Sequence, residues 1–152
     1  MHRCAGWPGV RAARAIVPLA DGSAESALES ISRLRFTHSA LPLPVPQVEI
    51  GDALGRFVAR VDFFWPTTGI VGESDGALKY DAGRDAIVSE RRRQRALEDM
   101  GLIVVRWEWA DLFHFDDVIA RIQSAIRHGT RLDSARRWTV LSTVHSAPSL
   151  TA

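Results

Sequence analysis

The spacing of apolar and polar positions divides most of this chain into helices and strands. From Ser23 onward, apolar residues recur at intervals of three, four and seven, as on one face of an amphipathic helix. These positions are Ala27, Leu28, Ile31, Leu34 and Leu41. Pro42, Pro44 and Pro46 follow, and proline both lacks an amide proton and restricts the residue before it. The pattern predicts a first helix that begins near Ser23 and ends before Pro42.

Strand-like segments come next, rich in β-branched and aromatic residues and separated by turn-forming residues. They cover residues 47–50, 57–65 and 70 to 73 or 75. Helical spacing returns at about residues 84–100 and again at 111–127, with the short apolar run 102–107 between them. Gly101 is expected just beyond the second helix, at the C′ position. The order α-β-β-β-α-β-α predicts an α/β domain with a mixed sheet flanked by helices.

The ends of the chain differ from this central domain, which we place at residues 23–128. Residues 1–22 combine Trp7-Pro8-Gly9 with an alanine- and arginine-rich stretch, which favours a helical appendage and linker. From Gly129 to residue 152 the chain mixes Ser, Thr, Ala and Pro without sustained periodicity. We expect this tail to be poorly ordered or loosely docked.

Composition narrows the possible classes of protein. A chain of 152 residues that is 46% hydrophobic can bury one core, and its net charge of +1 excludes a general polycation. No stretch is long and apolar enough for a membrane helix or a secretory signal, so a cytoplasmic location without membrane contact is expected. The single cysteine, Cys4, rules out an internal disulfide and a cysteine-based zinc site.

Acidic residues gather around the predicted hairpin. If Trp65 and Ile70 flank a four-residue turn, Asp62 lies directly opposite Glu73, and Asp75 points to the same side by the two-residue period of a strand. Two carboxylates about 5 Å apart repel by roughly 3 kcal/mol at an effective dielectric near 20, and Mg²⁺ or Mn²⁺ would offset this. A register shifted by one or two residues would instead make all three ordinary polar-face residues.

The residues around these acids resemble a known family. Asp62 and two aromatics, a turn and then Glu73-Ser74-Asp75-Gly76-Ala77-Leu78-Lys79-Tyr80 are similar to the signature of the very-short-patch-repair-like endonucleases, within the PD-(D/E)XK nuclease superfamily. In that signature an apolar strand ends in Glu-x-Asp-Gly and a Lys or His follows. Further similarity extends over about residues 23–110. It consists of the segment Ser26-Ala27-Leu28-Glu29-Ser30, the spacing of Glu90, Arg93, Leu97 and Gly101, and the strand Val104-Val105-Arg106-Trp107.

The resemblance implies a restriction-endonuclease-like αβββαβ core and Mg²⁺- or Mn²⁺-dependent hydrolysis of DNA phosphodiester bonds. Asp62 and Glu73 would hold the metal, and Asp75 would be a further ligand or orient the water. Lys79 would stabilise the charge of the transition state, while Glu29 would be the first-helix acid near the site. Asp75 stands where the superfamily usually has lysine. Related actinobacterial proteins carry an upstream antitoxin-like winged-helix domain, and residues 1–22 are similar to the segment that joins it.

Arginines supply the expected contacts to DNA. Arg91, Arg92 and Arg95 are predicted to bind backbone phosphates, although such a run is also typical of a solvated helix face. Arg93 has the spacing of a core-facing residue and is predicted to pair with Glu90, and Trp107 is predicted to lie in the core. Two functions remain open: a metal-dependent endonuclease, or a catalytically degenerate DNA-binding or regulatory module of a defence or toxin-antitoxin system. The sequence leaves the oligomeric state unknown.

Overall fold

A computed structural model describes residues 27–75, 84–129 and 137–143. Its helices are α1 (Ala27–Thr37), α2 (Arg84–Asp99) and α3 (Phe115–Gly129), and a 3₁₀ helix (Trp109–His114) precedes α3. Its strands are β1 (Val45–Asp52), β2 (Phe57–Trp65), β3 (Ile70–Asp75), β4 (Ile103–Glu108) and β5 (Trp138–Thr143). The predicted appendage at residues 1–22 and Lys79 lie outside the described residues.

One five-stranded sheet runs through the fold in the order β4-β3-β2-β1-β5. Strands β3 and β4 are parallel, and the other neighbours pair antiparallel. Parallel neighbours need a crossover connection, and the segment containing α2 supplies it between β3 and β4. The predicted α/β class, with a mixed sheet flanked by helices, is confirmed. No helix within the described ranges is long and apolar enough to cross a membrane.

The sheet separates two apolar clusters. Helices α1 and α3 pack on one face through Leu28, Phe36, Val118 and Ile122, which meet Phe63, Trp65 and Trp107 of the strands. On the other face Leu97 of α2 packs with strand residues that include Val48, Ile50, Phe64 and Val71. Phe36 is central to the first cluster, because its ring lies edge-on to four aromatic neighbours at centroid distances of 5.2–5.7 Å. Such pairs add roughly 0.5–1.5 kcal/mol each beyond burial.

Helix α2 ends as its sequence predicts. Gly101 has φ 84°, in the left-handed region that glycine occupies without steric cost. The amide of Leu102 donates to the carbonyl of Leu97 at 3.1 Å, and the amide of Gly101 donates to that of Glu98 at 2.8 Å. This pair of bonds is the Schellman motif, so Gly101 holds the expected C′ position and turns the chain into β4.

Two helix boundaries differ from their predicted positions. Helix α1 ends at Thr37 instead of continuing toward Pro42, and Leu41 reaches the core from the following turn. Residues 111–114, expected to open the last helix, lie in the 3₁₀ helix, and α3 begins at Phe115. There the carboxylate of Asp111 accepts a hydrogen bond from the amide of Glu108 at 2.8 Å, which favours the tighter turn.

The expectation of a poorly ordered tail was wrong for residues 138–143, which form the edge strand β5 against β1. Trp138 is buried beneath this edge and meets the ring of Phe64 at 5.0 Å. Only the first residue of β5 is buried. The strand therefore lacks the alternation of buried apolar and exposed polar residues by which a half-buried strand is recognised in a sequence. Its pairing with β1 supplies the backbone partners. Residues 130–136 and 144–152 lie outside the described residues.

Gly72 permits close packing between β3 and β4. A Cβ atom at this position would lie 2.8 Å from Cη2 of Trp107 and 3.1 Å from Cβ of Phe63. We therefore expect Gly72→Ala to lower the free energy of unfolding by about 1–3 kcal/mol, as overpacking of a core usually does. Urea denaturation measures the change.

A double-mutant cycle with Trp107→Phe tests the cause, because the smaller ring lacks the atoms that the new methyl group would meet. Gly72→Ala should cost less stability in the Trp107→Phe background than in the wild type. Equal costs in both backgrounds would show that the indole does not set the limit at Gly72.

Candidate functional site

The β2–β3 hairpin has the register that the sequence predicts. Phe63 pairs with Gly72, Phe64 with Val71 and Trp65 with Ile70, so the next positions along the two strands are Asp62 and Glu73. Here the strands leave regular pairing. The carboxylate of Asp62 turns to Ser74 and accepts hydrogen bonds at Oδ2 from its amide at 2.9 Å and its hydroxyl at 2.8 Å. Asp62 thus lies beside the end of β3 that carries the other two acids.

Glu73 is a buried carboxylate held by two arginines. Arg93 of α2 donates from Nη1 to Oε1 at 2.8 Å and from Nη2 to Oε2 at 2.5 Å, the two-pronged geometry that a guanidinium forms with a carboxylate. Arg106 of β4 places Nη2 3.3 Å from Oε2, because the parallel register sets it beside Glu73. Only 4% of Glu73 is exposed, and both of its carboxylate oxygens are bound by guanidinium groups.

The same arginines bind two further acids. Glu90 of α2 accepts hydrogen bonds from Nε and Nη2 of Arg93 at 3.0 and 2.7 Å, and also from Nη2 of Arg106. The predicted pairing of Arg93 with Glu90 is confirmed. Asp75 lies 3.2 Å from Nη1 of Arg106. We call Glu73, Asp75, Glu90, Arg93 and Arg106 the arginine–carboxylate cluster. Its three carboxylates and two guanidiniums leave one formal negative charge, and Asp62 adds another.

Burial and pairing shift the ionisation of the cluster in opposite directions. Burial raises the pKa of Glu73, while the hydrogen bond and charge of Arg93 pull it back. The hydrogen bond from Arg93 lowers the pKa of Glu90 to about 2, against a smaller opposing effect of burial. Burial lowers the pKa of Arg93 and Arg106, but their contacts with Glu90 and Glu73 outweigh it and raise both pKa values overall. The guanidiniums therefore remain charged, and Arg93 holds the Glu90 carboxylate in its ionised form.

The described residues do not fit the expected metal centre. Within the described ranges no group of three or more His, Cys, Asp or Glu side chains is arranged to hold a metal ion. Glu73 and Asp75 contact guanidinium groups, and a metal cation would have to compete with these positive groups for the same carboxylate oxygens. Asp62 differs, because its Oδ1 accepts no hydrogen bond from any residue that the structure describes. The role of Mg²⁺ or Mn²⁺ stays a prediction, and Lys79 lies outside the described residues.

Glu29, the predicted first-helix acid, is buried on α1 and accepts a 2.7 Å hydrogen bond from Nε2 of Gln47. Gln47 is itself buried and has φ 48°, a conformation that typically costs a non-glycine residue about 1–3 kcal/mol. The neighbouring pairs place Gln47 across from Asp62 on β2. Sequence reasoning missed Gln47. Its one signal was a polar amide inside the strand run between Pro46 and Val48.

The predicted DNA-binding arginines are separated from the acids by helix α2. Arg91, Arg92 and Arg95 are exposed and line one shallow groove together with Val88, Ala96 and Asp99. Arg93 and Leu97 point to the sheet from the other side of the helix. Trp107, as predicted, is a core residue, and its Nε1 donates to Ser32 Oγ at 2.7 Å. The arginine–carboxylate cluster and the groove lined by Arg91, Arg92 and Arg95 therefore lie on different sides of α2.

The pairing of Glu90 predicts a specific loss of stability in acid. Because its pKa in the folded protein, about 2, is below the ordinary value of 4.5, its contribution is present above pH 4.5 and is lost as the pH falls toward 2. Glu90→Gln should lower stability at neutral pH and reduce the further loss between these two pH values. Chemical denaturation at a series of pH values measures both effects.

Glu98→Gln is the matched control on the same helix, since Glu98 is exposed and contacts the neutral Gln94. It should alter the acid-side slope less than Glu90→Gln does. A Glu90→Gln protein that loses stability as steeply as the wild type between pH 4.5 and 2 would contradict the assigned role of Glu90.

Comparison with known proteins finds relatives without an assigned role. The chain is 37% identical over 100 residues to uncharacterized protein MT2308 of Mycobacterium tuberculosis strain CDC 1551 / Oshkosh. It has the same similarity to uncharacterized protein Rv2248 of strain H37Rv. The match covers 66% of this chain and 36% of each relative, so the chain spans about a third of their length. No protein-family model matches, and no solved structure matches. The α/β fold and the arginine–carboxylate cluster are therefore the features of the chain that bear on its function.

Proposed function

We propose that this domain is a DNA-interacting module with a nuclease-like fold that binds DNA without cutting it efficiently. The observation that carries the proposal is the pairing of Glu73, whose two carboxylate oxygens both accept hydrogen bonds from Arg93. An acid engaged in this way is poorly placed to coordinate a metal ion. A module that binds without cutting suits the regulatory role predicted for a defence or toxin-antitoxin locus.

The groove on the outer side of α2 supports the DNA-binding half of the proposal. Arg91, Arg92 and Arg95 are exposed there, and Arg91 and Arg95 lie one turn apart, about 6 Å along the helix axis. Exposed guanidiniums bind phosphate oxygens and release condensed counterions, which gives affinity without sequence preference. DNA bound here would contact a surface on the opposite side of α2 from the acids.

Replacing Arg91, Arg92 and Arg95 together by alanine tests the groove. The triple variant should bind duplex DNA more weakly, and the slope of log K against log salt should flatten by about 0.9 for each phosphate that the variant no longer binds. Fluorescence anisotropy over a range of salt concentrations measures both quantities. Thermal unfolding should change little, because all three side chains are exposed.

The matched control removes three exposed arginines from other parts of the fold: Arg35, Arg56 and Arg127. It changes the net charge by the same amount, so a general charge effect would appear equally in both proteins. If the two triple variants show the same salt slope, the groove is not the DNA-binding surface. If the wild type binds no DNA at low salt, the proposed function fails.

A Mg²⁺- or Mn²⁺-dependent endonuclease is the second candidate. It is favoured by the register that brings Asp62 next to Glu73, and by the Oδ1 of Asp62, which accepts no hydrogen bond from the described residues. For this candidate, the wild type should nick supercoiled DNA when either metal is added. Asp62→Asn, which keeps the shape of the side chain and removes its charge, should abolish nicking and leave DNA binding intact.

Asp99→Asn is the control for that assay, because Asp99 is an exposed carboxylate on the outer side of α2. Nicking that disappears in Asp62→Asn and persists in Asp99→Asn would replace the binding module by the endonuclease. A wild type that binds DNA and leaves it uncut with every divalent metal tried supports the first proposal.

A further inference from the structure

Arg106 lies at the meeting point of three carboxylates. Its Nη1 is 3.2 Å from Asp75 Oδ2, and its Nη2 is 3.3 Å from Glu73 Oε2. The same Nη2 also donates to Glu90 Oε1. The acids come from the last residues of β3 and from α2, whereas the guanidinium comes from the neighbouring strand β4. One cation is thus surrounded by acids from two different elements.

Its contacts distinguish Arg106 from Arg93. Arg93 also donates to the backbone carbonyl of Arg60 at 3.3 Å, so it joins α2 to β2 as well as binding acids. The terminal nitrogens of Arg106 face the carboxylates, while its buried Nε has no hydrogen-bond partner among the described residues. Leaving a buried N–H unpaired is costly, and it indicates that the side chain is placed by the charges at its tip.

We infer that the guanidinium of Arg106 fills the space among Glu73, Asp75 and Glu90 that a divalent ion would need. The cluster cannot hold the Arg106 guanidinium and a divalent ion at the same time, because the two cations repel each other and would compete for the same carboxylate oxygens. The wild-type cluster therefore excludes Mg²⁺ and Mn²⁺ while Arg106 remains in place. The inference rests on the proposed function in treating this cluster as the centre of a nuclease-like fold.

The test is thermal unfolding of the whole chain, without DNA, in the presence and absence of millimolar Mn²⁺ or Mg²⁺. The wild-type Tm should not rise, since an ion that does not bind the folded state cannot stabilise it. Arg106→Met keeps much of the apolar length and removes the charge. Its Tm should be lower without metal and should rise by about 5 °C when Mn²⁺ is added, because Arg93 alone then offsets the charge of the three acids.

Two further variants separate the charge of Arg106 from its packing. Arg106→Lys retains a positive charge and should respond to Mn²⁺ less than Arg106→Met does. Arg121→Met is the matched control, since Arg121 donates to the carbonyl of Arg106 at 3.0 Å and to Asp111 at 3.2 Å but does not contact the cluster side chains. It should show no response to metal.

Two results would overturn the inference. One is a wild-type Tm that rises with Mn²⁺ as much as that of Arg106→Met; the other is a folded Arg106→Met protein whose Tm ignores the metal. If Arg106→Met does not fold, the comparison passes to Arg106→Lys, which should gain a small Mn²⁺ response over the wild type, and equal responses would refute the inference. Because no DNA is present, failure of the proposed DNA binding would leave this result unchanged.

Discussion

Three elements are joined by the buried carboxylate of Glu73. It lies on β3, Arg93 reaches it from α2 and Arg106 reaches it from the parallel strand β4. A buried charge is tolerated only when it is paired, and removal of one partner from such a pair typically costs about 3–5 kcal/mol. The helix that covers this face of the sheet therefore keeps its orientation partly through ion pairs. The position of α2 in turn fixes which of its arginines face the acids and which face solvent.

The opposite face of the sheet is built differently. Phe36 of α1 is surrounded edge-on by aromatic rings, and Trp107 approaches the backbone of β3 so closely that only glycine fits at position 72. This tight packing holds β3 and β4 together on one face, while the arginine–carboxylate cluster spans the same two strands on the other. Glu73 and Arg106 are neighbours in register because both sets of contacts fix the two strands in the same alignment.

The proposed function depends on how the carboxylates of Asp62 and Glu73 are neutralised. Asp62 and Glu73 have the neighbouring positions that the hairpin register predicts, yet their surroundings differ: Asp62 is held by Ser74, and Glu73 is held by guanidinium groups. Carboxylates that already have fixed cations gain less from a divalent ion than unpaired ones do. For this reason DNA binding is proposed ahead of DNA cleavage, and Arg106 is proposed to take the place of a divalent ion.

Sequence by itself determined the local features of this protein. The order of elements up to α3, the hairpin register, the end of α2 at Gly101 and the pairing of Glu90 with Arg93 follow from side-chain periodicity, turn length and spacing within one helix. These depend on residues a few positions apart, whose contacts are fixed by the geometry of a helix or a hairpin.

Tertiary structure alone decided the rest. Strand β5 exists because β1 offers an edge to pair with, and the left-handed Gln47 is held by Glu29 from a distant helix. Arg106 could be read as one polar residue within a strand, and only the parallel pairing of β4 with β3 brings its charge to Glu73 and Asp75. Such contacts join positions 16 or more residues apart in the chain, where no local period constrains which side chains meet.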